Sequence, residues 1–399
     1  MKLSLRKLTF NLFSIITISV NVVLFIPLLI YGLIKQEKSI IFYLPLFLAV
    51  ISITFSPPFD FDLYRHYDGY EYYCKYNEFP LPTKDFYLYS VTHIGCTLNL
   101  PHQFIFFTTT IIYYSIVCHI ITNIFNDPKF IVLNFLLSLI FIFSNNLVDI
   151  SGLRYPIALA FSYLFILSIA KRKSPLKIYL FLLLSAISHF SFIILLPLYL
   201  LYKVSLNIIN GKNGILLVIT CLLVGLFLIQ PITGALILLI QDWSGIYIGA
   251  EVYTTGEWGS DRLTLQGYNS NGVLVEKFNL YYNIFVISTL SIFFSVSLPV
   301  KTRVYRLFII VTSVSFLFVS FDTIYFRYQS IILFIALIML YESRTLISKK
   351  NMLFILILLI SKYTLQYSLG LRSNYTLFLL DILSEKNLFK LSGIAQILS

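Results

Sequence analysis

Charge is scarce in this 399-residue chain: Asp, Glu, Lys and Arg together make up 12% of it. Soluble domains carry roughly 25%. With 58% hydrophobic residues, no soluble fold of this length hides the apolar surface. A soluble enzyme, a secreted domain and a disordered chain are therefore excluded. Cysteine is sparse too, at four residues, and none stands in a CxxC or a Cys/His zinc spacing. There is no P-loop, which removes an ATP-driven pump, and no GxSxG nucleophile elbow. No Lys/Arg-rich stretch is interleaved with aromatics, so a nucleic-acid partner is not expected. Period-two alternation is also missing, which excludes an outer-membrane barrel.

What is present is a series of long apolar runs of helical length. The candidate membrane segments are 10–34, 39–55, 104–125, 130–147, 153–170, 176–202, 214–240, 279–299, 304–320, 324–341 and 352–370. Most approach the ~20 residues that cross a bilayer as a helix. The expected fold is an all-α polytopic integral membrane protein of about 10–12 helices, forming one multi-pass domain over 1–399. Lys2, Arg6 and Lys7 precede the first run. That run carries no small-residue cleavage site, so it reads as an uncleaved first helix. Two polar stretches, 56–103 and 241–278, interrupt the pattern, and the tail 371–399 is mixed.

Charge segregation sets the expected topology. The two polar stretches hold 11 of the 18 acidic residues and only five of the 29 basic ones. Dense basic clusters lie elsewhere, at Lys171-Arg172-Lys173, Lys301-Arg303-Arg306 and Arg344-Lys349-Lys350. Short basic loops face the cytoplasm, and the number of spans between each cluster and each polar stretch puts both long loops outside. Two places resist this count. From 173 to 241 an odd number of crossings is needed where two runs are visible. Either 176–202 is a broken hairpin with His189 at its outer tip, or Pro231 breaks the second run. The N-terminal basic residues also fall on the wrong side, so either the first run is not a full span or the charge rule fails there.

The first outer loop carries Asp60, Asp62, Arg65, His66 and Asp68 within nine residues, together with eight tyrosines, including Tyr64, Tyr67 and Tyr70. Carboxylates accept protons from sugar hydroxyls and aromatic faces stack on sugar rings. Tyrosines also form interfacial belts. Asp60-Phe61-Asp62 alone does not define a metal site, and no metal is expected. Cys74 and Cys96 share this loop, and an outer location permits a disulfide. Cys118 and Cys221 lie in apolar runs and read as packing residues. Arg154 opens an apolar helix after Ser151-Gly152-Leu153, with Asp149 nearby. An intramembrane arginine marks function by default, and its planar fork suits a pyrophosphate. An ion pair with Asp149 is the plainer alternative. Arg327, in Phe326-Arg327-Tyr328, has Asp322 as the same kind of alternative. His189 sits between Ser188 and Ser191 in an otherwise apolar run, either as a packed histidine or as a functional one. Trp243 and Trp258 fall in the second outer loop with Glu257 and Asp261.

At these residues the chain resembles the O-antigen and exopolysaccharide polymerases of the Wzy/EpsG type. The resemblance spans roughly residues 50–205. It lies in the acidic-aromatic loop around Asp62 and Tyr67, in Leu153-Arg154 followed by Ile157-Ala158-Leu159-Ala160, and in His189-Phe190-Ser191 after a Lys/Arg turn. The family often has Arg-Gln where this chain has Arg154-Tyr155. The resemblance implies a GT-C-like polymerase architecture in the bacterial inner membrane with its active site facing the periplasm. It implies transfer of a growing glycan from undecaprenyl pyrophosphate onto the next lipid-linked repeat unit, with no nucleotide or cofactor. Arg154 and Arg327 are expected at the donor pyrophosphate, and His189, Asp60 or Asp62 as the base. Arg65, Asp68, Tyr67 and Tyr328 are expected to hold the substrate. The bilayer, a chain-length regulator and a flippase are the expected partners. A lipid-linked oligosaccharide flippase, an O-antigen ligase and a polysaccharide-modifying acyltransferase are the rival readings.

Overall fold

The computed structural model describes residues 2–20, 22–35, 37–57, 61–78, 86–144, 146–205, 209, 211–229, 270–298 and 302–370. The described residues form helices and no strand. This is an all-α polytopic membrane protein. Among the described residues three helices, Gln103–Ile124, Val273–Ser297 and Ile324–Glu342, are long and apolar enough to cross a membrane. Eight shorter apolar helices accompany them. Contacts divide the chain into two compact units, Met1–Ile193 with Gly370–Ser399, and Ile194–Leu369.

The first unit begins with the segment whose sidedness the sequence left open. It is not one span. Helix α1 (Lys2–Val20) ends in a 3-10 turn (Val22–Phe25), and α2 (Ile26–Lys35) follows. Pro27 sits in the first turn of α2, where its missing N–H costs nothing. A straight helix would hold Phe10 and Tyr31 roughly 30 Å apart, yet their rings lie 6.2 Å apart. The chain therefore folds back on itself. Phe10 and Phe25 both pack against Tyr43 of α3 (Ile40–Ile53). This brings the basic N-terminal end of α1 to the Lys35 end of α2, as the charge rule requires.

Helix α3 packs along α6 (Gln103–Ile124), and the first polar stretch joins the end of α3 to the start of α6. That stretch is a helical hairpin rather than an irregular loop, formed by α4 (Asp62–Tyr76) and α5 (Phe86–Thr97). In α4, Leu63, Tyr67, Tyr70 and Tyr73 are buried, at the three- and four-residue steps of one helix face. A Cys74–Cys96 disulfide staples the pair, with Cα atoms 5.1 Å apart. Helix α7 (Ile131–Phe143) and the single turn α8 (Leu147–Ile150) lead to α9 (Arg154–Ala170). Helix α10 (Pro175–Ser188) lies against α9, and the Ser185 hydroxyl donates to the Ala158 carbonyl at 2.7 Å. The run 176–202 breaks where the sequence allowed it, with His189 in extended geometry before a 3-10 turn over Phe190–Ile194.

The second unit contains α11 (Leu195–Val204), α12 (Gly211–Phe227), α13 (Ser270–Ser297), α14 (Arg303–Leu317), α15 (Asp322–Glu342) and α16 (Lys349–Gly370). Helix α13 starts nine residues before its expected apolar run, so the end of the second polar stretch is helical. The rest of that loop that lies before residue 270, with Trp243 and Trp258, falls outside the described residues, as do Pro231 and the tail 371–399. Helices α14 and α15 form an antiparallel pair, and α12 packs on α14. At that crossing a Cβ on Gly225 would overlap the Phe316 carbonyl oxygen, and the Ser320 hydroxyl donates to the Gly225 carbonyl. Gly225→Ala is expected to cost about 1–3 kcal/mol through overpacking. A lowered melting temperature of the detergent-solubilised protein is the readout.

Candidate functional site

The site is built from the first turn of α4, the first turn of α9 and the break after α10. Asp62 opens α4. Its carboxylate lies 3.1 Å from Arg65 and 3.7 Å from His66 Nε2, one helical turn along. Burial raises the pKa of Asp62. The neighbouring His66 and the charges of Arg65 and Arg154 outweigh this and hold it below the ordinary value. That balance places Arg154, far away in sequence, within electrostatic reach of Asp62.

Arg154 is presented by an unusual turn. Leu153 is fully buried and has φ 47° and ψ −64°. The Arg154 N–H donates to the Gly152 carbonyl at 2.6 Å. This is a three-residue γ-turn of the rare, strained kind. Such strain persists where packing fixes it, and it collects at functional sites. The buried Leu153 side chain supplies that anchor. Asp149, the alternative partner, accepts from Asn146 Nδ2 at 2.6 Å.

The next residue, Tyr155, ties α9 to the helix break. Its ring stands edge-on to His189 at 6.0 Å and tilts against Phe192 at 5.3 Å. His189 Nδ1 takes the Ser191 backbone N–H at 3.3 Å and lies 2.8 Å from the Ser191 hydroxyl. A ring nitrogen that accepts from a backbone N–H carries no proton, so in the neutral ring the proton sits on Nε2. His189 is therefore configured as a hydrogen-bond donor.

Among the other residues expected from sequence, Arg65 is 65% exposed at its side chain, on the outer face of α4. Asp68 is also exposed, and it lines a cavity of about 250 Å³ with Tyr67. Tyr67 is buried, and burial pushes its phenol pKa upward. Tyr70 and Tyr73 pack inward as well, donating to or sharing protons with Leu100 O at 2.6 Å and His93 Nδ1 at 3.0 Å. Part of the tyrosine richness is thus packing, while Tyr64, Tyr72 and Tyr76 stay exposed. Asp60 lies outside the described residues. In the second unit Arg327 and Tyr328 occupy the second turn of α15, with Tyr328 buried and Arg327 half-buried.

Sequence reasoning missed two features. Lys362 of α16 is only 2% exposed and sits 4.5 Å over the Tyr363 ring. A lone cation in an apolar run was the signal for it. The second is the pair Glu71–His102, joined at 2.7 Å, which no local motif announces. Among the described residues no group of three or more His, Cys, Asp or Glu is placed to hold a metal ion.

The helical membrane scaffold thus carries an acidic, aromatic hairpin whose first residue lies within electrostatic reach of an arginine-headed helix. The EpsG family model matches residues 60–379, and the chain belongs to the EpsG family. Membership implies a polysaccharide polymerase type of function. No curated protein and no solved structure matches the chain.

The depressed pKa of Asp62 gives one prediction. A carboxylate depressed below its unfolded value of about 3.9 contributes stability above about pH 4, lost as pH falls through the folded value. Asp62 is then ionised throughout the range of about pH 5–8. Asp62→Asn is expected to lower activity by a similar factor across that range and to leave the acid limb of the wild-type profile unmoved. A shifted limb in a pH–rate series would assign the titration to Asp62 instead.

Proposed function

We propose that the chain is a glycosyltransferase that polymerises lipid-linked repeat units at the outer face of the bacterial cytoplasmic membrane, working as one multi-pass domain. The growing glycan on undecaprenyl pyrophosphate is transferred to the next lipid-linked unit, and undecaprenyl pyrophosphate leaves. No nucleotide enters the reaction, because the lipid pyrophosphate is itself the leaving group.

The observation that supports this reading is Arg154 within electrostatic reach of Asp62 on a disulfide-stapled hairpin, with the neighbouring Tyr155 ring against His189. The disulfide favours an oxidising, extracytoplasmic side. Arg154 neutralises the donor pyrophosphate as charge develops on it. His189, with its proton on Nε2, donates to the same oxygens. Of the expected bases, Asp62 is a weak one because of its ion pairing, so the acceptor proton calls for another group. Arg65, Asp68, Tyr67 and Tyr328 hold the glycan. A flippase delivers the substrate and a chain-length regulator sets product size.

The test is a gel of surface polysaccharide from a deletion strain of the source bacterium. Loss of the long ladder with a single repeat unit retained, restored by the gene, is the expected result. An unchanged ladder would overturn the polymerase reading. Loss of every repeat unit would point to the flippase or ligase.

A further inference from the structure

The cavity of about 250 Å³ between the end of α3, helix α4 and the start of α6 is lined by Tyr64, Tyr67, Asp68, Glu71, His102 and Gln103, among others. Its volume falls below the roughly 300–1,000 Å³ of drug-sized sites, which suits one or two sugar rings. Two buried polar atoms at it, Tyr67 Oη and Gln103 Oε1, have no hydrogen-bond partner among the described residues. Tyr67 is only 6% exposed. Buried polar atoms in a folded protein are nearly always paired, so two unpaired atoms in one lining leave hydrogen-bonding capacity that a turn of either side chain brings to an occupant.

The lining states the ligand's chemistry. Asp68 and Glu71 are carboxylates, and among the described residues no Lys or Arg lines the cavity. A phosphate is repelled there. Carboxylates and an amide oxygen are acceptors, so the occupant brings donors, as a hydroxylated ring does. Tyr64, more than one-third exposed, offers an aromatic face at the rim.

His102 adds a reactive group. Its Nδ1 lies 2.7 Å from Glu71 Oε1. An ionised carboxylate only accepts, so Nδ1 holds the proton and Nε2 keeps its lone pair in the neutral ring. This is the opposite tautomer to that of His189. The Tyr67 ring, 4.5 Å away, further fixes the imidazole.

We infer that this cavity holds the acceptor sugar, with His102, oriented by Glu71, as the proton acceptor for its hydroxyl; the inference rests on the polymerase reading above. The hydroxyl oxygen bonds to the anomeric carbon of the donor glycan, and its proton passes to His102 Nε2. The bond from that carbon to the carrier pyrophosphate breaks, and its electron pair leaves with the pyrophosphate.

The probe is the repeat-unit oligosaccharide of the source bacterium, freed from its lipid by mild acid and titrated calorimetrically into the purified full-length chain in detergent. Tyr67→Phe and Gln103→Leu are each expected to weaken binding about tenfold. The hydroxyl removed by Tyr67→Phe has no partner among the described residues, so that variant is expected to keep the fold. His102→Gln is expected to bind within about twofold of wild type and to lower ladder formation in cells at least about 100-fold. Intact binding is the proof that this variant is folded. Unchanged binding in both Tyr67→Phe and Gln103→Leu, or no binding by the wild type, overturns the sugar site. A wild-type ladder from His102→Gln overturns the proton acceptor. Neither result touches the polymerase reading, which falls only if the deletion strain keeps its long polymer.

Discussion

Arg154→Ala is expected to reduce long-chain polymer by a factor on the order of 10²–10³, the usual loss when one preorganised charge-stabilising contact is removed. The residue heads α9 on a strained γ-turn anchored by buried Leu153, so its position is fixed before substrate arrives. Preorganisation of this kind avoids reordering as the pyrophosphate leaves. Arg154→Lys keeps the charge but loses the planar fork that grips two phosphate oxygens, and an intermediate loss is expected. The two variants together separate charge from geometry. Densitometry of the polysaccharide ladder, normalised to protein in the membrane fraction, is the measurement. Equal ladders from Arg154→Ala and wild type would remove Arg154 from the donor site. The same substitution takes away one of the charges that lower the Asp62 pKa, so Arg154→Ala should also move that pKa upward.

Removing the Cys74–Cys96 bridge has the largest expected effect on stability. The bridged cysteines are 22 residues apart, and closing a loop of that size in the unfolded chain is worth about 3 kcal/mol. Cys74→Ser with Cys96→Ser is expected to melt the α4–α5 hairpin well before the rest of the first unit. Limited proteolysis between Tyr76 and Phe86 reads this out, with cleavage rising sharply in the double variant. The same bridge reports the compartment. A mobility difference between reduced and non-reduced samples from intact cells is expected, since cytoplasmic thiols stay reduced. Its absence would move the hairpin to the inner side.

Hydropathy and charge made the class and the order of helices readable, because a bilayer demands long apolar runs and leaves few alternatives. Arg154 and His189 were readable for the same reason: polar groups are costly in such runs and stand out. The helical hairpin was harder to foresee. The inward stripe Leu63, Tyr67, Tyr70, Tyr73 is helical in spacing, but tyrosine density and acidic charge made the stretch look like an open binding loop. Pairings between distant residues left no local trace. Glu71 meets His102 across 31 positions, and Asp62 feels Arg154 from a different helix. Such partners are chosen by packing, not by neighbouring sequence. The role of Tyr155 was hidden in the same way. Where the family often carries an amide, this chain uses an aromatic edge against His189.

The fold-back between Val20 and Ile26 changes how this chain has to be counted. Residues 10–34 look to a hydropathy scan like one crossing, yet they begin and end at the same level. A reporter fused ahead of Met1 and another placed after Lys38 are therefore expected in the same compartment. Any count of crossings started from the first residue inverts every later assignment. A count started from the disulfide-bearing hairpin and run backwards does not.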